Sequence, residues 1–207
     1  MLLLPMVAQP PLAAPGARPA NERATETVPP ARISHSAQLS NDEARRQLTY
    51  KLTPERRALL NTIRYAEGTW LGGSGEGYRV LYGGGRFAGF SHHPEIEVRR
   101  RYVSAAAGAY QFLPATWKAA AKELALPDFG PQSQDQAALH LVRKRGALHH
   151  FDREGLSEPV LARLAHEWAS LPSLSGGSVY GQPVRSAREL QAFFRRELDR
   201  QRLLAAA

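Results

Sequence analysis

At 207 residues, with 43% hydrophobic and 22% charged, the chain is long enough to bury the core of one ordinary domain, with room for an appendage but not for a second full domain. The absence of cysteine excludes a disulfide framework, a thiolate zinc site, an iron–sulfur cluster and a cysteine nucleophile. Lys and Arg outnumber Asp and Glu by 27 to 19, a formal net charge of +8 that suits a polyanionic partner without choosing among nucleic acid, anionic membrane and cell wall.

Residues 1–50 differ in character from the rest. MLLLPMVAQPPLAAPGARPA is apolar at its start and then rich in Pro and Ala, with neither helical nor strand periodicity. It reads as a leader or linker. The small residues near Ala13 and Ala14 fit a signal cleavage site, whereas the lack of Lys or Arg before Arg18 and the breaks at Pro5, Pro10 and Pro11 do not. No apolar run approaches the roughly 18 residues of a membrane span. Ser40 and Glu43 form a capping-box pattern ahead of a short polar helical segment.

The globular domain is predicted over 51–207. Thr53 suits a helix cap, Pro54 the first helical position, and Leu59, Leu60, Ile63 and Ala66 recur at helical spacing until Gly68 stops the helix. Glu67 therefore falls on the last turn. There the negative end of the helix dipole and the flanking Ile63, Tyr65 and Trp70 would disfavour its ionised form and keep it protonated as a general acid. A lone Glu near a helix end is more often a solvated surface group, so this position alone does not establish catalysis.

Residues 72–90 alternate Gly-rich turns with the short runs YRVLY and RFAGF, which predicts a small β-hairpin lobe. In AAAGAYQFLPATW, residues 105–117, small residues allow close backbone approach, Gln111 offers an amide and Tyr110 an aromatic face, the chemistry of sugar recognition. The same segment also reads as a turn leading into a packed helix. Helical patterns follow in TWKAAAKEL, in SQDQAALHLVRKRG ending at Gly146, in SEPVLARLAHEWASL carrying Trp168 and ending at Leu171–Pro172, and in SARELQAFFRRELDRQ opened by the Ser186/Glu189 capping box. Tyr180, after a Gly-rich loop, is placed to overhang a groove. The fold class expected is α+β, mainly helical with a small β lobe.

Other chemistries find less support. The pairs His92–His93 and His149–His150 lack metal-ligand spacing, and Gly83–Gly85 lacks phosphate-loop spacing, so neither metal nor cofactor is expected. Arg99–Arg101 and Arg143–Arg145 suit phosphate contacts, but no nucleic-acid-binding signature accompanies them, and nucleic acid is not the expected partner.

Taken in order, YAEGTW, GYRVLYGGGRFAGFSHHP, AAAGAYQFLPATW, LALPDFGPQSQDQAALHLVRKRGAL and EWASLPS with YGQ resemble the phage lambda endolysin family of lytic transglycosylases, over residues 54–200. AGAYQFLP also resembles the Gly-x-x-Gln motif of lysozyme-like transglycosylases. The resemblance implies a lysozyme-like fold, a peptidoglycan glycan strand as substrate, and cleavage of the MurNAc–GlcNAc β-1,4 bond with 1,6-anhydro-MurNAc ends. The family's catalytic glutamate, in Ser-Glu-Gly-Thr, falls on Glu67 in Ala66-Glu67-Gly68-Thr69, and substrate roles fall on Tyr110, Gln111, Trp168 and Tyr180. Where the family has acidic residues in the β lobe, this chain has Arg79, Gly89 and His92, which favours transglycosylation over hydrolysis; Glu76, Glu95 and Glu97 remain candidate second carboxylates for a hydrolase. A monomer is expected, exported to periplasm or wall, or held in the cytoplasm until lysis if phage-encoded. A non-catalytic wall-binding protein on the same fold is the alternative from another class.

Overall fold

The computed structural model describes residues 50–207; the Ser40/Glu43 capping pattern lies outside them. Among the described residues are six α-helices and one two-stranded antiparallel sheet, an α+β arrangement. Helix α1, Pro54–Glu67, begins and ends as its residues dictate: Thr53 Oγ1 accepts from the Arg56 N–H at 3.3 Å, Pro54 opens the first turn, and Gly68 closes it in the left-handed conformation at φ 76°. Leu59, Leu60 and Ile63 are almost wholly buried, so α1 runs through the core.

Helix α2, Pro114–Leu124, and helix α3, Pro131–Lys144, pack on one another. The start of α3 lies at Pro131, earlier than the SQDQ run suggests, because Asp128 Oδ1 accepts from both the Gly130 N–H and the Ser133 hydroxyl at 2.8 Å. Helix α4, Leu148–Glu154, has too few residues to show a sequence period. Its buried pair, Leu148 and Phe151, is a single i,i+3 step with two histidines between. Helix α5, Glu158–Leu164, is capped by Ser157 and ends well before the predicted Leu171. The chain leaves the helical course in successive turns, with both Glu167 and Trp168 N–H groups on the Leu164 carbonyl and the Trp168 indole N–H bonded to Tyr110 O at 3.1 Å. Trp168 thus lies beyond the helix, correcting its sequence placement.

The long helix α6, Ala187–Ala206, opens on Ser186 as predicted and lies along α1. Asn61 Nδ2 donates to the buried Glu197 at 2.7 Å, and the Tyr65 and Phe193 rings stack at 4.2 Å. Trp70 meets Phe193 edge-on. Two of the three apolar neighbours predicted to surround Glu67 are therefore engaged with α6.

The predicted hairpin over 72–90 is reduced to a bridge between Val80 and Arg86, with Leu81 N–H on Gly85 O and Phe87 N–H on Arg79 O. The pairing is right and the strand length is not. Gly72, Gly73, Gly83 and Gly84 have positive φ, which breaks extended chain into 3-10 turns at Leu71–Gly73, Gly75–Arg79 and Tyr82–Gly84. The regular strands lie later, β1 Val98–Arg99 against β2 Val103–Ser104, where β-branched residues flank a turn and no glycine interrupts. Beneath this lobe, Phe87, Phe112, Trp117 and Phe129 form an aromatic cluster with ring centroids 4.6–6.3 Å apart.

Among the described residues no helix is long and apolar enough to cross a membrane, and no group of three or more His, Cys, Asp or Glu is placed to hold a metal ion.

Candidate active site

Glu67 is the last residue of α1, and Gly68 turns the chain so sharply that Thr69, two residues on, is fully buried. The Thr69 hydroxyl donates to Ala109 O at 2.5 Å, tying the end of α1 to the loop that precedes α2. Two of the sequence motifs are joined by this contact. The third arrives through Ser170, whose hydroxyl donates to Glu67 Oε1 at 2.5 Å. Ser170 is 5% exposed.

The electrostatics of Glu67 are simple. Loss of hydration pushes its carboxyl up from 4.5 to about 7, and the Ser170 hydrogen bond, which favours the carboxylate, opposes the shift. No charged side chain contributes. Glu76 is instead paired with Arg86 at 3.2 Å and Glu95 with Lys118 at 2.9 Å, while Glu97 is exposed. A group with this proton affinity is protonated in a good fraction of molecules at neutral pH and can both give and take a proton.

The other site residues predicted from sequence separate into two sets. Tyr110 and Trp168 are 1% and 2% exposed, so both rings lie inside the protein. Their polar tips are spent inside the protein, the Tyr110 hydroxyl on Asp135 and the Trp168 indole on Tyr110 O. Gln111 sits at φ 48° with Nε2 donating to Val80 O at 3.1 Å and to Gly108 O at 2.9 Å, so its donors brace the loop; among the described residues its Oε1 accepts no hydrogen bond. Tyr180 is half-exposed on the loop after Ser173, with its hydroxyl on His166 O at 3.1 Å. That loop is fastened beside Ser170 by the Ser178 hydroxyl, 3.5 Å from Ala169 O.

Sequence reasoning missed three residues that build the site. Ser170 stands in EWASLPS, where only Trp168 drew attention. Gln134 and Asp135 looked like polar positions of a helix, yet they are 0% and 3% exposed. Gln134 spans the loop, with Oε1 accepting the Ala109 N–H at 2.8 Å and Nε2 donating to Tyr78 O and Phe129 O. Asp135 accepts from the Tyr78 and Tyr110 hydroxyls and pairs with Arg57 at 2.5 Å. Burial and this carboxylate push the Tyr78 hydroxyl up to about 12 and that of Tyr110 well above its ordinary value. A signal was present in SQDQ, since a buried helix face carrying adjacent amide and carboxylate groups demands partners for each.

Gly108 explains why the loop is rich in small residues. It sits at φ +82°, and a Cβ there would stand 2.3 Å from Gln134 Oε1 and 3.0 Å from the Phe129 ring. The Gly108→Ala protein is expected to lose more than ~2 kcal/mol of stability, from positive φ and overpacking together, with the loss read from urea unfolding midpoints.

Comparison with known proteins agrees with this architecture. The Endolysin family model matches residues 57–200, inside the predicted 51–207 domain. The chain is 36% identical over 160 residues to the endolysin of Escherichia phage lambda, covering 72% of this chain and 98% of that protein. It is 40% identical over 116 residues to the endolysin of Escherichia phage P2, covering 53% of this chain and 67% of that one. Its fold is similar to bacteriophage lambda lysozyme solved in complex with a chitohexasaccharide, with a TM-score of 0.65 and 37% identity over 72% of this chain and 96% of that one. A second structure of lambda lysozyme gives a TM-score of 0.63 at 33% identity. With its lysozyme-like fold, an ionisable carboxyl half-buried at the end of α1 and these relatives, the chain belongs to the endolysin family and is a glycosidase-type enzyme that acts on peptidoglycan.

Proposed function

We propose that this enzyme is a lytic transglycosylase that cleaves the MurNAc–GlcNAc β-1,4 bond and leaves 1,6-anhydro-MurNAc ends, with Glu67 as both acid and base. The observation that carries the reading is the surroundings of Glu67: among the described residues its carboxyl hydrogen-bonds to the Ser170 hydroxyl, and Glu76 and Glu95 are each paired with a cation, Arg86 and Lys118. A retaining hydrolase holds its two carboxyl groups ~5 Å apart, and an inverting one ~6.5–9.5 Å apart. In this reading Glu67 works without such a partner.

One carboxyl suffices for the intramolecular route. Glu67 gives its proton to the glycosidic oxygen as the bond to the muramyl C1 breaks, releasing the GlcNAc end. As carboxylate it then takes the proton of the muramyl 6-hydroxyl, whose oxygen closes on C1. The hydroxyl belongs to the sugar already bound, so no activated water is required, and Glu67 ends reprotonated. In this reading Gln111, whose Oε1 accepts no hydrogen bond among the described residues, and the half-exposed Tyr180 are the side chains that meet the strand. The chitohexasaccharide bound by lambda lysozyme supports a β-1,4 amino-sugar strand as ligand. Action is at the cell wall, with residues 1–50 as a leader or linker to the domain.

Mass spectrometry of digested peptidoglycan tests the reaction. Anhydro-muropeptides lacking one water are expected, and reducing muramyl ends as the main product would assign hydrolysis to the same bond.

A further inference from the structure

We propose that Ser170 is the positioning residue of Glu67: its hydroxyl fixes Oε1 as the hydrogen-bond-accepting oxygen, which leaves Oε2 as the oxygen that carries and exchanges the proton. The inference extends the reading of Glu67 as acid and base to a residue 103 positions away in the chain.

The geometry is held from several sides. Ser170 Oγ lies 2.5 Å from Oε1, and among the described residues it is the hydrogen-bond partner of the Glu67 carboxyl. Ser170 cannot easily drift. Its turn is closed by the Leu171 N–H on Trp168 O at 3.0 Å, the Trp168 indole is anchored on Tyr110 O, and the preceding Ala169 is buried, with its carbonyl near the Ser178 hydroxyl. The two ends of this brace meet again through Ala109, the neighbour of Tyr110, which holds Thr69 beside Glu67.

A hydroxyl that donates to one carboxyl oxygen acts differently on the two forms. To the protonated acid it contributes orientation, because the oxygen accepting the Ser170 proton is the carbonyl one and the acidic proton sits on the other. To the carboxylate left after transfer it contributes a charge-assisted bond, which stabilises the ion in a site that otherwise disfavours charge. Ser170 thus balances a residue that must give a proton and later recover one. Burial alone would make Glu67 reluctant to release its proton.

The test combines Ser170→Ala and Ser170→Thr, with Thr retaining the donor. Removing the hydroxyl raises the proton affinity of Glu67, so the alkaline limb of the activity profile, expected near pH 7 in the parent protein, moves to higher pH in Ser170→Ala. The turnover number falls roughly 10- to 100-fold, the range for losing a hydrogen bond to a charged group, with KM little changed. Ser170→Thr returns the limb to the parent position. A direct titration of the Glu67 carboxyl carbon by NMR gives the same ordering without reference to catalysis. A Ser170→Ala protein whose Glu67 titrates as in the parent overturns the proposal, as does a Ser170→Thr protein that shifts like Ser170→Ala. If Glu67 titrates as expected in both variants while Glu67→Gln remains active, the positioning stands and the catalytic assignment of Glu67 falls.

Discussion

Replacing Glu67 with Gln is expected to lower wall-lytic activity by about 10³-fold or more while leaving the protein folded. General acid–base catalysis by a single positioned group is worth roughly 10²–10⁴-fold, and here one group serves both transfers, so its loss falls in the upper part of that range. Gln keeps the shape of the side chain and accepts the Ser170 hydrogen bond through its oxygen, so binding of the strand is preserved. Turbidity of a peptidoglycan suspension measures the loss, and near-parental lysis would remove Glu67 from the mechanism. Stability moves the other way. The native carboxyl holds its proton up to about pH 7 while the unfolded chain releases it near 4.5, so the native state binds more protons across that window and loses stability as pH rises through it. The Gln variant lacks this dependence. Its melting temperature should exceed that of the parent by an amount that grows from pH 5 to pH 8.

The second large effect is on folding. Asp135→Ala is expected to destabilise the domain by about 3–5 kcal/mol, the cost of breaking a buried pair by removing one partner. Asp135 has a side chain 4% exposed and serves the Arg57 guanidinium and the hydroxyls of Tyr78 and Tyr110 at once. Its removal leaves three donors without an acceptor in a region water does not enter freely. Against a typical stability of 5–15 kcal/mol this is a large fraction, and the melting temperature should fall by roughly 10 °C or more. A change under about 1 kcal/mol in chemical denaturation would show that the cluster relaxes around the vacancy.

How far the sequence revealed this molecule depended on how local each determinant was. Thr53, Pro54 and Gly68 set the ends of α1 through contacts spanning a few residues, so both the helix and the position of Glu67 on its last turn were legible. The same locality made Ser186 a dependable start for α6. The β lobe was misread because its glycines act through positive φ, which composition suggests without saying whether it ends a strand or forbids one. Trp168 was placed on a helix because its spacing fits one, whereas a bond to Tyr110 across 58 residues draws the chain away. Tyr110 and Gln111 stood out by residue type, since aromatic and amide groups suit sugars, but the same groups suit buried loops, and their contacts with Asp135 and Val80 span 25 and 31 residues. Ser170, Gln134 and Asp135 make their decisive contacts 103, 25 and 57 residues away, beyond the reach of any periodicity.

The clasp of α6 on α1 has a consequence for how the enzyme comes into being. Glu67 is made early, but its brace comes with Ser170, and the helix that carries it is flanked by Phe193 and Glu197 near the end of the chain. Contacts of such long sequence separation form late, since the loops between them must close first. During vectorial synthesis the carboxyl therefore stays an ordinary solvated acid until Ser170, 103 residues on, has been added and folded against it.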